Sequence, residues 1–134
     1  MSNQTESSFW KQIKTGLSST DAICTRIENS STQGIPDLLL LDRAKNFHLI
    51  ELKVVKGNKV LLSPHQVSFA TRHAGARSWI VAKKDDTVYL YRSDQAIAVF
   101  EDGIRCPAHG TFTKPVNWSH FLTTIETRRV PLEP

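Results

Sequence analysis

Residues 34–55 read Gly34-Ile35-Pro36-Asp37-Leu38-Leu39-Leu40-Leu41-Asp42-Arg43-Ala44-Lys45-Asn46-Phe47-His48-Leu49-Ile50-Glu51-Leu52-Lys53-Val54-Val55, and the fold turns on this stretch. The short apolar run from Leu38 to Leu41, bounded by Pro36-Asp37 and Asp42, predicts a strand buried on both faces. Arg43 to Asn46 supply a turn, and Phe47 to Val55 a second strand, so the two predict a β-hairpin. Side chains alternate across a strand, which puts Glu51 and Lys53 on one face, either side of Leu52. Two charges inside so apolar a run cost on the order of several kcal/mol unless each is paired or bound to a metal. Asp37 interrupts an apolar segment in the same way, and pairing of the hairpin brings it toward Glu51.

Outward from the hairpin, Lys56-Gly57-Asn58 breaks the second strand. Ser63-Pro64-His65-Gln66 then opens a helix, with Ser63 as its cap, Pro64 at its first position and Gln66 completing a capping box. This helix is expected to run to about Ala74 and stop at Gly75. Strands are expected over 78–82 and 87–92, with a short fifth over 97–100 before Asp102-Gly103. Upstream, Phe9, Ile13 and Leu17 recur at helical spacing, with Ser7 or Ser8 as the cap and a polar, frayed start over 1–7. Residues 22–28 suit either a helix face or a strand, and 29–34 form a polar loop. Trp118, Phe121, Leu122 and Ile125 mark an amphipathic C-terminal helix over about 117–128. The order predicts an α/β fold, a mixed central β-sheet flanked by helices.

The chain has 134 residues, which suits one domain over 1–134, with residues 22–82 as its motif-bearing core. Hydrophobic residues make up 40% and charged residues 22%, the balance of a globular protein rather than a disordered one. No apolar run is long enough to span a bilayer, and the polar start does not read as a signal peptide, so no membrane partner and an intracellular, cytoplasmic location are expected. The net charge of +4 is compatible with a polyanionic partner such as nucleic acid. Cys24 and Cys106 do not suggest a disulfide framework, and Cys106 with His109 lacks the second ligand pair a zinc site needs.

Two carboxylates brought together in this way can hold a hard divalent cation, since Mg²⁺ takes one or two carboxylates and completes its shell with water and phosphate oxygens. Such an ion lowers the pKa of bound water and offsets charge on a phosphodiester under attack, and a lysine beside it can orient that water. Pro36-Asp37 followed by Glu51-Leu52-Lys53, with thirteen residues between the two acids, resembles the PD-(D/E)xK nuclease superfamily. With Gly34 upstream and Leu62-Ser63-Pro64-His65-Gln66 downstream, the stretch is similar to the VRR-NUC branch, the virus-type replication-repair nucleases. The resemblance covers residues 22–82.

It implies a restriction-endonuclease-like fold and an endonuclease that hydrolyses DNA phosphodiesters with Mg²⁺ or Mn²⁺. Asp37 and Glu51 would bind the metal with the Leu52 carbonyl, Lys53 would be the catalytic lysine, and Gln66 would stand near the active site. Glu28 matches the extra acid that precedes the PD motif. Minimal members of the branch resemble Holliday-junction resolvases, which implies branched DNA such as four-way junctions as substrate and a homodimer as the assembly.

Other readings of the same residues stand beside these. Gln66 can serve its capping box alone, Glu28 can be a solvated acid, and Glu51 with Lys53 can be a salt bridge on an exposed strand. His65 and His73 read as surface or structural residues. Of the basic residues Lys56, Lys59, Arg72, His73, Arg77, Lys83, Lys84 and Arg92, the candidates for nucleic-acid contact are Lys56, Lys59, Arg72 and Arg77. Trp10, Trp79 and Trp118 read as core or interface residues. The C-terminal apolar stripe either closes the chain's own core or meets a partner copy. As a whole, the alternatives to a junction nuclease are a restriction-type or nicking nuclease on ordinary duplex, a nucleic-acid-binding module without catalysis, and a small structural protein whose motif is accidental.

Overall fold

The computed structural model describes residues 5–28 and 33–127. Thr5 caps the first helix, α1 (Glu6–Leu17), in a reciprocal box with Ser8 at its third position. The cap therefore sits earlier than Ser7 or Ser8, and residues 6 and 7 belong to the helix rather than to a frayed end; residues 1–4 lie outside the described residues. Phe9, Ile13 and Leu17 form its buried stripe.

Strands β1 (Ile23–Arg26), β2 (Leu38–Leu41) and β3 (Phe47–Val54) form an antiparallel meander. The hairpin expected from residues 34–55 is present, with Leu38 opposite Ile50 and Leu41 opposite Phe47. The ambiguous segment 22–28 is a strand, fixed by its pairing to β2. Helix α2 (Pro64–Arg72) then carries the chain over the sheet to β4 (Ser78–Lys84), which lies parallel to β3. Strand β5 (Thr87–Arg92) returns antiparallel, helix α3 (Ala96–Asp102) follows, and β6 (Gly110–Thr113) pairs with β5. Helix α4 (Trp118–Glu126) is the last described element. The six strands lie in sequence order in one sheet, antiparallel throughout except at β3–β4.

Two expectations are corrected here. Residues 97–100 are not a strand: Ala96 and Val99, three apart, face the core while Ile97 and Phe100 face solvent, a helical spacing inside α3. Strand β6 was not expected, because only Phe112 of its four residues is buried.

The sheet has two covered faces. On one, α1 and α4 pack over Leu38, Leu40, Ile50, Leu52, Trp79, Val81, Val88, Leu90 and Phe112. On the other, α2 and α3 pack over Val55, Ile80, Ala82 and Tyr91. Each fully buried Leu, Ile or Phe contributes on the order of 1.5–3 kcal/mol. Strand β2 is sealed on one face only: Leu38 and Leu40 are fully buried, whereas Leu39 and Leu41 on the other are partly exposed. The α4 stripe of Phe121, Leu122 and Ile125 closes the chain's own core. Among the described residues no helix is long and apolar enough to cross a membrane.

Candidate active site

The loop before β2 sets the position of Asp37. Gly34 adopts φ +87°, and a side chain there would place its Cβ 2.5 Å from the His65 carbonyl oxygen at the start of α2. Only glycine meets both demands, so the loop can lie directly on the helix N-terminus. Pro36 is buried, and the Asp37 carbonyl accepts from Ile27 N–H at 2.7 Å. Asp37 thus falls one step beyond the Leu38–Ile50 pair, beside Glu51 in the antiparallel register. Its carboxylate accepts the Leu52 N–H at 2.8 Å.

Glu51 is 6% exposed, so the exposed-strand reading of Glu51 and Lys53 is set aside. Lys53 Nζ stands 3.8 Å from Glu51 Oε2 within the partly buried site. Burial, followed by the neighbouring Asp37 carboxylate, pushes the Glu51 carboxyl up to about 9, and Lys53 opposes the shift only in part. Glu51 therefore holds a proton at neutral pH, and a cation between the two acids would take that proton's place.

Gln66 serves two roles at once. Its Oε1 accepts the Ser63 N–H at 2.9 Å, completing the α2 capping box, while its Nε2 donates to Glu51 Oε2 at 2.9 Å. The capping and site readings coexist in one amide.

Leu52 buries its side chain on the α1 face. Leu49 and Val55 send their N–H groups to β4, so by alternation the peptide groups of Leu52 point to the Asp37 side. Glu28 is exposed just beyond β1, and among the described residues no hydrogen bond or ion pair draws it to the site. A different acid comes closer. Glu6, in the first turn of α1, is held above the usual carboxylate range by desolvation, while Lys53 and Arg26 lower it and Asp37 raises it. Sequence reasoning missed Glu6 because an acid in a first helical turn already has a helix-dipole explanation.

The expected basic residues divide between the two ends of the sheet. Lys56 and Lys59 bridge to each other just past β3, beside the site. Arg77 precedes β4, its carbonyl bonded to Leu49 N–H, about 16 Å along the strand from the level of Lys53. Arg72 is exposed at the C-terminal end of α2. Elsewhere, burial pushes the Cys24 thiol up to about 12. Cys106 is buried in the core, and neither cysteine is in a disulfide. Trp79 is buried and Trp118 packs against the core. Among the described residues no three acid, histidine or cysteine side chains are drawn together into a ready-made metal cage. The donors that could hold a hard cation are Asp37 and Glu51, two carboxylates side by side without full compensation, which is a set Mg²⁺ accepts.

No family model matches the chain. No curated protein matches it either. Among solved structures, Hjc from Archaeoglobus fulgidus, a Holliday junction resolvase from an archaeal hyperthermophile, superposes with a TM-score of 0.52 at 17% identity, over 69% of this chain and 75% of that one. A VRR_NUC domain aligns with a TM-score of 0.49 at 20% identity, over 72% of this chain and 94% of that domain. The likeness to Hjc shows the fold: the chain has the restriction-endonuclease-like α/β fold expected from its sequence.

Proposed function

We propose that this chain is a divalent-metal-dependent DNA endonuclease that hydrolyses phosphodiester bonds. The observation that carries this reading is the pair Asp37 and Glu51, side by side at the partly buried end of the β2–β3 hairpin, with Lys53 3.8 Å from Glu51. Asp37 and Glu51 would hold Mg²⁺ or Mn²⁺, with the Leu52 carbonyl directed to the same side; Glu6 is a better-placed additional acid than Glu28. The bound ion would supply an activated water and a positive charge against the scissile phosphate. Lys53 orients that water or neutralises charge developing on the phosphate, and Gln66 fixes the carboxylate of Glu51 from the α2 side. Lys56 and Lys59 are proposed contacts to the sugar–phosphate backbone next to the site, and Arg72 and Arg77 contacts farther along it.

The resemblance in residues 34–66 and the fold shared with a resolvase favour branched DNA such as a four-way junction over linear duplex. A homodimer is proposed with it, because two sites related by a two-fold axis match a symmetric junction. The α4 stripe is spent in the core, so the interface lies on another surface. The deciding experiment is cleavage of a labelled panel of duplex, flap, splayed arm and four-way junction in Mg²⁺, Mn²⁺ or EDTA. Cutting in Mg²⁺ or Mn²⁺ but not in EDTA, fastest on the junction, is the expected result. Equal cutting of linear duplex moves the assignment to a nicking or restriction-type nuclease. Tight binding with no cutting in any metal moves it to a binding module.

A further inference from the structure

Beyond the end of β3 lies a cleft of about 820 Å³, bounded by Thr5 at the start of α1, by Val54 to Gly57, and by the turn between β4 and β5. Lys83 forms its inner wall. This lysine is 8% exposed, on the sheet face that α1 covers, with its Nζ 5.9 Å from the centre of the Phe9 ring. Its hydrogen-bond partner is the neutral side chain of Gln12. Among the described residues no carboxylate lies within ion-pair distance of it. Burying a cation is costly unless an anion accompanies it. Burial accordingly draws the Lys83 ammonium below the usual lysine value; Asp86 opposes this and Lys114 adds to it.

The rim of the cleft carries the same sign. Lys56, Lys84 and Lys114 join Lys83, against Asp85 and Asp86, so four cations face two anions. Position matters as much as charge. Lys83 pairs with Val54, the residue after Lys53, in the parallel register; the two share the α1 face, so the cleft opens at the end of the strand that carries Glu51 and Lys53, around the edge from them. An anion here would lie about 10 Å along the sheet from the level of Glu51, which pairs with Ile80, and toward the α1 face rather than the face of Glu51 and Lys53.

We propose that this cleft is a phosphate site for the nucleic-acid backbone, in which Lys83 supplies a buried charge and Lys56, Lys84 and Lys114 the rim, seating a backbone phosphate beyond the scissile one, past the end of β3. The proposal rests on the nuclease reading for its substrate, and it adds Lys83, Lys84 and Lys114 to the contacts expected from sequence. It also gives the strand a direction: away from Lys53 it runs past the end of β3 toward the β4–β5 turn.

The test is binding of a fluorescein-labelled four-way junction and of a linear duplex across a salt series, with Ca²⁺ replacing Mg²⁺ so that binding is read without cutting. Two variants are compared with the unaltered chain. Lys83→Met keeps the side-chain length and suits the Phe9 environment; the double variant Lys84→Gln with Lys114→Gln changes only the rim. Each lysine that contacts a phosphate lowers the slope of log Kd against log salt by about 0.9. The expected result is a slope lower by about one for Lys83→Met and by up to two for the rim pair, with several-fold weaker binding to both DNAs. Unchanged slopes and affinities in the rim pair and in folded Lys83→Met overturn the proposal; if Lys83→Met does not fold, the rim pair decides alone. The two readings fail separately. If the unaltered chain cuts DNA but the variants bind as it does, the phosphate site is wrong and the nuclease stands. If it cuts nothing yet shows lysine-dependent slopes, the reverse holds.

Discussion

Asp42 and Glu51 stand nine residues apart on one hairpin and are both nearly sealed from solvent, at 1% and 6% exposure. Their surroundings differ in kind. Asp42 Oδ1 accepts the Ala44 and Asn46 N–H groups, and its Oδ2 pairs with His48 Nε2 at 2.7 Å. Trp79 Nε1 donates to His48 Nδ1, which leaves Nε2 to carry the proton that His48 gives to Asp42. Burial alone raises the Asp42 carboxyl, but these donors more than offset it and hold the group below the ordinary range. Glu51 has Gln66 as a donor, Lys53 at 3.8 Å, and Asp37 as a like-charged neighbour, and its carboxyl rises to about 9. A buried acid with all its donors in place holds a turn together. A buried acid facing another acid is poised for a cation. The hairpin therefore carries a structural end and a proposed reactive end, and the predictions below probe that division.

The sharpest break is at the reactive end. Asp37→Ala and Glu51→Ala should fold normally and lose cleavage by about a thousandfold or more, since each removes a proposed metal donor rather than a packing group. Full activity of either variant in Mg²⁺ would take the two carboxylates out of the mechanism. Lys53→Ala should lower turnover by roughly a hundredfold and leave DNA affinity near its normal value, because the lysine is proposed to act on the transition state. Single-turnover rates with saturating enzyme separate the two; lost affinity with normal turnover would make Lys53 a binding residue.

The structural end should behave oppositely. Asp42→Asn weakens the hydrogen bonds that close the turn, at a cost of about 2–3 kcal/mol of stability, with turnover per folded molecule unchanged. Denaturant titration alongside single-turnover cleavage checks both halves; a turnover defect in the folded variant would erase the division. The smallest effect concerns pH. The folded-state value of Glu51 lies above its unfolded value, so the unfolded chain releases the proton first. Stability of the metal-free protein should then fall as pH rises from about 4.5 toward about 9. Glu51→Gln mimics the protonated acid. It should stabilise the metal-free protein by about 1–2 kcal/mol at pH 7, give nothing at pH 4, and abolish cutting. Melting curves at the two pH values, showing no difference between variant and parent at pH 7, would place Glu51 in an ordinary ionised state.

The hairpin, α2 with its capping box, and the face shared by Glu51 and Lys53 were legible because each rests on a local rule: alternation along a strand, or side-chain caps within four residues. What escaped depends on distant packing. Strand β1 has no fully buried residue, so its burial pattern carries no strand signal, and only pairing with β2 defines it. Residues 97–100 are four apolar residues in a row, too short a run for periodicity to separate strand from helix. Strand β6 shows one buried side chain. Glu6 comes near Asp37 and Lys53 only through the docking of α1 on the sheet, which no spacing near residue 37 encodes.

Helices α1 and α4 meet on one face of the sheet, tightly enough that a Cβ at Gly16 would lie 2.3 Å from the Trp118 ring. In folding time this contact is expected to come late. The hairpin, α2 and β4 involve neighbours in the chain and can form early, whereas the α1–α4 face requires closing a loop of about a hundred residues. Until it closes, the side chains of Leu38, Ile50, Leu52 and Val81, which face α1 and α4, lack their full cover. A nascent chain would thus hold Asp37, Glu51 and Lys53 near one another before the core beneath them is sealed. Hydrogen exchange during refolding should find the backbone amides of β3 and β4 protected earlier than those of α1 and α4.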